Sequence, residues 1–377
     1  MKAVGLQSLA VAFPRSIRTN DYYRERFPGV VAEAEHKTLA RLWAAHDGEL
    51  SDFDLAFQPF ASDPFRGTVE RRALEAGEPM LSVELRAARD ALDAAGLTPA
   101  DVDLVLASSF LPDQIGIGNA VFIARELGIA GPGWNIESAC SSATAGLQLA
   151  TSMVRAGQAS RALVVISCGY SRVADPQDTF GWFLGDGCAA FVVGPCEAGE
   201  GHVAAKTINT AQTCGAFWYD IAVDGVEEPR IRIQASESAG AALRDTAAPY
   251  LRECVEGAAQ AAGVALGDID FFAFNTPTAW YGEFCARALG IPAARTISTY
   301  PLYANMGPVL WPVNLHHAAS LGWLERGDLV LVYSVGSVSS AGAVVMRWGE
   351  VGLGPLPRRV QEDRDAVERI VRVGGDA

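Results

Sequence analysis

Cys140 is the side chain best placed for covalent chemistry. It stands between a strand-like segment at 134–138, WNIES, and a run of small residues with helical character at 141–154, SSATAGLQLATSMV. A thiol at a helix start meets the positive end of the macrodipole and backbone N–H groups that lack helical partners. Both favour the thiolate, which is the nucleophile, so a depressed pKa is expected. The same N–H groups can hold the oxyanion formed when a thioester carbonyl is attacked. Without further support, a cysteine near a helix start is an ordinary small buried hydrophobe.

A base to partner the thiol is harder to find. His316 and His317 lie about three turns into a helix that begins near Asn305, too far from the sulfur at roughly 1.5 Å per residue. His36, His46 and His202 fall in stretches read as surface, and His46 reaches the site only if its segment folds over it. The seven cysteines are odd in number and include no CxxC pair. That pattern points away from a metal cluster or a disulfide framework and towards a reducing cytoplasm. Cys168 and Cys188 sit in strand-like runs and read as packing. The Gly185–Gly187 sequence GDG reads as a tight turn rather than a phosphate cradle.

The elements that must position Cys140 repeat themselves. In the first part, VDLVLASS at 102–109 is followed by ARELGI at 124–129, then by the Cys140 region and the apolar run RALVVISCG. Later, IDFFAFNT at 269–276 is followed by ARALGI at 286–291, then by YANMGPVLWPVNLHHAASLGWLERG and DLVLVYSVG. The short apolar runs suit strands buried on both faces, with helices as crossovers. A further strand closes each half, at 185–194 and 339–349. Residues 20–80 interrupt the pattern as a helical insertion covering the site. The segment 199–268 is expected to link the halves through a strand or hairpin and a long helix. The tail is expected to be a peripheral helix with a frayed end. The halves are therefore placed at 1–198, which carries the nucleophile, and 199–350, with a tail at 351–377.

Half of the 377 residues are hydrophobic and a fifth are charged, as in a well-buried globular enzyme. A formal charge of -14 argues against nucleic acid, which demands clustered Lys and Arg. The start, MKAVGLQSLAVAFP, reads as a first strand rather than a signal peptide. No apolar stretch is long enough to span a bilayer.

Several segments, in order, carry a family resemblance. ESACSSATAGLQLA resembles the active-site segment of ketoacyl-ACP synthase III, and GWFLGDGCAAFVVG the Gly-Asp-Gly strand that follows it. TVERRALEAGEPMLSVELRAARDALDAAGLTPADVDLVL resembles the approach to that family's first core strand. YANMGPV resembles its Gly-Asn segment, with Ala304 where Gly is usual, and GSVSSAG resembles its Gly-rich loop beside the oxyanion hole. The resemblance implies an α/β thiolase fold: a duplicated αβαβα layered core, here with a helical insertion. It also implies a homodimer and ping-pong acyl transfer between acyl-CoA or acyl carrier protein and an acceptor. No cofactor is implied beyond the CoA or phosphopantetheine thioester that is the substrate.

The family site holds Cys, His and Asn. Cys140 takes the first role and Asn305 the last. Where the family has His, this chain has Asn275, which can donate a hydrogen bond to a carbonyl but cannot move a proton at neutral pH. The oxyanion hole is expected from the backbone N–H groups of Cys140 and Val338. Arg66, Arg71 and Arg72 are candidates for a CoA phosphate or phosphopantetheine contact, with a solvated basic stretch as the alternative. Phe180, Trp182, Trp280 and Tyr281 are candidates for an acyl pocket, with core packing as the alternative.

These residues describe an acyltransferase that loads Cys140 and passes the acyl group on. The second step is either decarboxylative condensation with a malonyl thioester or transfer to oxygen, nitrogen or sulfur. Departures from the family pattern suit polyketide or other natural-product assembly. A non-catalytic partner subunit is the alternative from another class, disfavoured because Cys140 and Asn305 are both retained. A thioester hydrolase is disfavoured because Asn275 offers no base to activate water.

Overall fold

The computed structural model describes residues 2–42, 50–175, 177–222, 230–337 and 339–374. Its strands, in chain order, are β1 (Val4–Ala12), β2 (Ser16–Thr19), β3 (Glu70–Ala73), β4 (Leu104–Phe110), β5 (Gly133–Asn135), β6 (Ala162–Gly169) and β7 (Asp186–Pro195). There follow β8 (Gly201–Asn209), β9 (Phe217–Ala222), β10 (Arg230–Ala235), β11 (Phe271–Phe274), β12 (Leu329–Val335), β13 (Ser340–Arg347) and β14 (Gly352–Leu353).

The duplication is visible in the sheets. One sheet runs β14-β1-β7-β6-β4-β5 and the other β11-β12-β13-β8. Read from β1, the first has β1-β7 antiparallel, β7-β6 antiparallel and β6-β4 parallel. Read from β8, the second has β8-β13 antiparallel, β13-β12 antiparallel and β12-β11 parallel. The strand β8 is therefore the counterpart of β1, a strand at the start of the second half that the sequence reading did not single out. Its alternating half-exposed pattern hides it from a search for apolar runs.

Alternation along the strands sorts residues into layers. Leu104, Leu106, Val164 and Ile166 face inward and share a cluster with Val330, Val332 and the helices Ser142–Arg155 and Leu310–Ser320. Val105, Leu163 and Val165 face outward onto the helix Met80–Ala94. In the second sheet, Phe272, Phe274 and Leu331 face the helix Ala239–Ala262. Two sheets, a helical layer between them and one on each outer face make the αβαβα core.

The repeated hexapeptide has a local cause. Gly128 and Gly290 end their helices at φ +80° and +63°, a conformation glycine adopts without a Cβ penalty. Past each, an isoleucine N–H closes back on an alanine carbonyl: Ile129 on Ala124 at 2.9 Å and Ile291 on Ala286 at 3.0 Å.

The insertion contains helices Asn20–Arg26, Pro28–Leu42 and Asp52–Phe57. Phe53 and Phe57 of the last pack edge-on against Trp280, 6.1 and 4.8 Å between ring centroids. The tail is less peripheral than its charge suggests. The helices Arg358–Glu362 and Arg364–Val371 bury Val360, Val367 and Val371 in the main core. Ser298 donates its backbone N–H to Val371 at 2.9 Å, and Ile297 forms a bridge with Arg372.

Candidate active site

The chain leaves β5, turns through a short 3₁₀ segment at Ala139–Ser141 and enters the helix Ser142–Arg155. Ala139 sits at φ +49°, uncommon for a residue with a side chain. Glu137 clamps this turn: one carboxylate oxygen accepts from the Ala139 N–H at 2.6 Å and from the Ser142 hydroxyl at 3.1 Å. The loop after β12 presses on it from the other half. A β-carbon on Gly336 would meet the Ser138 carbonyl oxygen at 2.6 Å, and the Ser138 and Ser340 hydroxyls lie 2.6 Å apart. Val338, the second expected oxyanion donor, lies outside the described residues.

The turn presents Cys140 half-buried to a cavity of ≈ 830 Å³. Its thiol does not have the depressed pKa expected of a helix start. Burial pushes it up to about 11; the Tyr170 hydroxyl opposes this, and the Glu137 carboxylate adds to it. Desolvation in the cavity outweighs the helix terminus.

Asn305 reaches the same cavity from the second half. It follows Ala304 and precedes the turn Gly307–Val309 and the helix Leu310–Ser320. Its side-chain oxygen accepts from the Gly307 N–H at 2.8 Å. Its backbone N–H donates to the Phe183 carbonyl at 2.9 Å, and its carbonyl accepts from the Gly185 N–H at 2.9 Å. The GDG segment thus supports the Asn305 loop, as a short strand-like brace running into β7 rather than as a tight turn.

Asn275 lies just past β11, where its N–H continues the pairing with β12 by donating to the Tyr333 carbonyl at 2.8 Å. It lines the cavity, is only 1% exposed, and neither amide atom has a partner among the described residues. Cys140, Asn275 and Asn305, from three places in the sequence, therefore meet at one chamber.

Of the other candidates, Arg66, Phe180, Trp280 and Tyr281 line that chamber. Trp182 does not. It is fully buried between Tyr23 and Phe65, 5.6 and 5.1 Å between ring centroids. Phe180 and Trp182 share the 3₁₀ segment Thr179–Phe183, where neighbours two apart diverge. Arg71 is equally misplaced for phosphate: buried at 1% exposure, it donates to the Trp182 and Arg18 carbonyls and to Asn20. Arg72 is largely buried and pairs with Glu70 at 3.4 Å.

Among the described residues, the histidines stay out of the chamber. His316 bonds the Gly354 carbonyl at 2.9 Å and His317 the Tyr303 hydroxyl at 3.0 Å. Burial lowers their pKa values to about 4 and about 3. His202 is half-buried rather than surface, lowered to about 4 by burial and by Arg155. His36 is exposed, and His46 lies outside the described residues.

Glu137, Tyr170 and Tyr219 are among the cavity residues that escaped the sequence reading. Glu137 stands in the quoted ESAC segment, and Tyr170 directly follows the apolar run of β6. Tyr219 belongs to the β9–β10 hairpin, whose Phe217, Trp218 and Ile233 also line the chamber.

Residues 134–212 match the family model for 3-oxoacyl-[acyl-carrier-protein (ACP)] synthase III, and residues 259–348 match its C-terminal model. The beta-ketoacyl-[acyl-carrier-protein] synthase III of Rhizobium meliloti (strain 1021) is 32% identical over 286 residues, 75% of this chain and 88% of that protein. The solved 3-oxoacyl-(acyl carrier protein) synthase III from Pseudomonas aeruginosa PAO1 shares the fold at a TM-score of 0.75 and 21% identity, covering 92% of this chain and 99% of that one. The priming beta-ketosynthase of a polyketide biosynthetic pathway does so at 0.76 and 20%, covering 92% and 97%.

Proposed function

Because the chain belongs to the 3-oxoacyl-[acyl-carrier-protein] synthase III family of acyltransferases, we propose that Cys140 accepts an acyl group from a CoA or acyl-carrier thioester and passes it to a second substrate. The observation that carries this reading is the meeting of Cys140, Asn275 and Asn305 on one ≈ 830 Å³ cavity. Cys140 attacks the thioester carbonyl, and the carrier thiol leaves with the proton of the cysteine. Asn275 and Asn305 serve as carbonyl-polarising amides for the second substrate. The polyketide-priming neighbour supports a role in natural-product assembly. A cytoplasmic homodimer without a bound cofactor completes the reading.

Asn275 bears on the second step. An amide moves no proton, which favours transfer to an alcohol, amine or thiol over chemistry that needs a histidine. Decarboxylative condensation is the second reading, supported by the relatives' name; there two amides would hold a malonyl-derived enolate while CO₂ departs.

Intact-mass spectrometry after incubation with a panel of acyl-CoA and acyl-carrier thioesters tests the proposal. The adduct is expected on the Cys140 peptide and absent from Cys140→Ala. An adduct on Cys168, Cys188 or Cys285 in its place would end it.

A further inference from the structure

Acyl groups differ mainly in the apolar surface they bring, so the walls around Cys140 choose among them. The chamber's ≈ 830 Å³ falls in the range of about 300–1,000 Å³ that encloses drug-sized molecules. An acetyl group fills little of such a space and leaves its apolar walls wetted. Those walls differ in chemistry. Thr246, Thr278, Ser337 and Ser339 bring hydroxyl groups to the chamber. The pantetheine arm of a donor carries amides, which are costly to bury without partners, so it belongs against these residues. Phe110, Phe180, Phe217 and Ile233 line the chamber too and offer an amide nothing.

The apolar wall is fixed in place. β10 alternates Ile231 and Ile233 with Arg232 and Gln234, and Ile233 stands opposite Tyr219 in the hairpin register. The period of two puts Phe217, Tyr219 and Ile233 on one face, and all three line the chamber. Phe217 stacks on Phe180, with ring centroids 6.0 Å apart. Phe110 meets Tyr219 edge-on at 5.5 Å and Tyr170 edge-on at 5.4 Å. Phe110, Phe180 and Ile233 are backed by the main core. The wall also runs up to the catalytic loop. A β-carbon on Gly307 would stand 3.4 Å from the Tyr170 hydroxyl, and Asn305 holds the Gly307 N–H.

We propose that this wall is the acyl subsite and that Cys140 carries a bulky apolar acyl group, aryl or medium-chain, in preference to acetyl. The inference rests on Cys140 being the acylated residue. In loading, the bond from the Cys140 sulfur to the acyl carbon forms as the donor's C–S bond breaks. The proton of the cysteine leaves on the donor thiol. The acyl tail is then covered by Phe110, Phe180, Phe217 and Ile233, and an aryl tail gains ring–ring contacts in addition. Acetyl reaches too little of this wall to draw on it.

Thioesters of N-acetylcysteamine, the tip common to CoA and the carrier arm, provide the test. Loading of Cys140 by the acetyl, octanoyl and phenylacetyl thioesters is followed by intact-mass spectrometry. At least one bulky group should load about 10²-fold faster than acetyl, since one methylene in a fitted pocket already gives about 10–200-fold. A lead for octanoyl alone marks a medium-chain acyl group and a lead for phenylacetyl alone an aryl one; either upholds the subsite. Acetyl loading as fast as both would overturn it and leave the acylation of Cys140 standing. No adduct from any thioester would overturn both. Ile233→Trp fills the wall and should cut the bulky-to-acetyl ratio about tenfold or more, whereas a merely destabilised protein loses both rates together. A ratio changed by less than about threefold would overturn the subsite. Should Ile233→Trp not fold, Phe217→Ala on the half-buried hairpin face is read by the same ratio and the same limit.

Discussion

Gly185 passes so close to Tyr303 that a β-carbon on the glycine would stand 2.1 Å from the Tyr303 carbonyl oxygen. The same glycine donates its N–H to the Asn305 carbonyl. Gly185→Ala must therefore push the Asn305 loop away from its brace. The expected result is a loss of about 1–3 kcal/mol in stability, as for other overpacked sites. Acyl transfer should slow more than loading, since Asn305 and not Cys140 is displaced. Thermal melting and single-turnover rates check the two parts separately.

Asn275 holds two buried polar atoms without partners among the described residues. An orphaned buried amide costs about 1–3 kcal/mol, so Asn275→Leu should raise stability by about 1 kcal/mol while slowing transfer. Asn275→Ala should leave loading of Cys140 largely intact and cut transfer by about 10²-fold, the usual price of one lost carbonyl donor. Asn275→His adds an acid/base group and should raise malonyl decarboxylation. Denaturant melts and separate half-reaction rates decide; equal, small effects on both steps would remove Asn275 from the chemistry.

Ala304 lies at φ 57°, ψ -161°, a region in which only glycine is at ease. Strain there costs about 1–3 kcal/mol, partly offset by the smaller entropy of an unfolded alanine. Ala304→Gly should therefore raise stability by about 1 kcal/mol, seen as a higher urea midpoint at unchanged slope. A lower midpoint would mean the loop relieves its strain elsewhere.

The thiol's titration gives opposite signs for its two neighbours. Cys140 is raised to about 11, with Tyr170 lowering it and Glu137 raising it. Alkylation by iodoacetamide follows the thiolate, so the wild-type rate should keep climbing past pH 9 and level only near about 11. Glu137→Gln removes the negative charge, lowers the thiol pKa and should speed alkylation at pH 8. A plateau already near pH 8 in the wild type would contradict this electrostatic picture.

The parts of the molecule that can be read from sequence are those with a local cause. ARELGI and ARALGI mark the repeat because each must supply a helix end and its glycine cap, which local residues determine. Cys140 is found for a similar reason: a strand, a tight turn and a run of small residues adjoin it in the chain. Tyr170 and Cys140 share one chamber only through the placing of β6 beside the turn that carries Cys140, which no spacing encodes. The thiol's pKa is set first by burial and only then by its neighbours, so a helix-start argument alone mistakes its direction. Phe180 and Trp182 show the limit inside one short turn. Both are large and apolar, and only the fold decides which one faces the chamber and which packs against Phe65.

The bond from Ser298 to Val371 joins the last helix to the stretch that leads into Asn305. Control of the amide thus reaches some seventy positions along the chain, to a helix that touches neither substrate nor sulfur. Trimming that helix, by a protease or a cloning boundary, should loosen the stretch before Asn305 and also take Val367 and Val371 out of the main core. Such a clipped protein should still take up an acyl group and fail to pass it on, an idling enzyme that mass spectrometry would find permanently loaded.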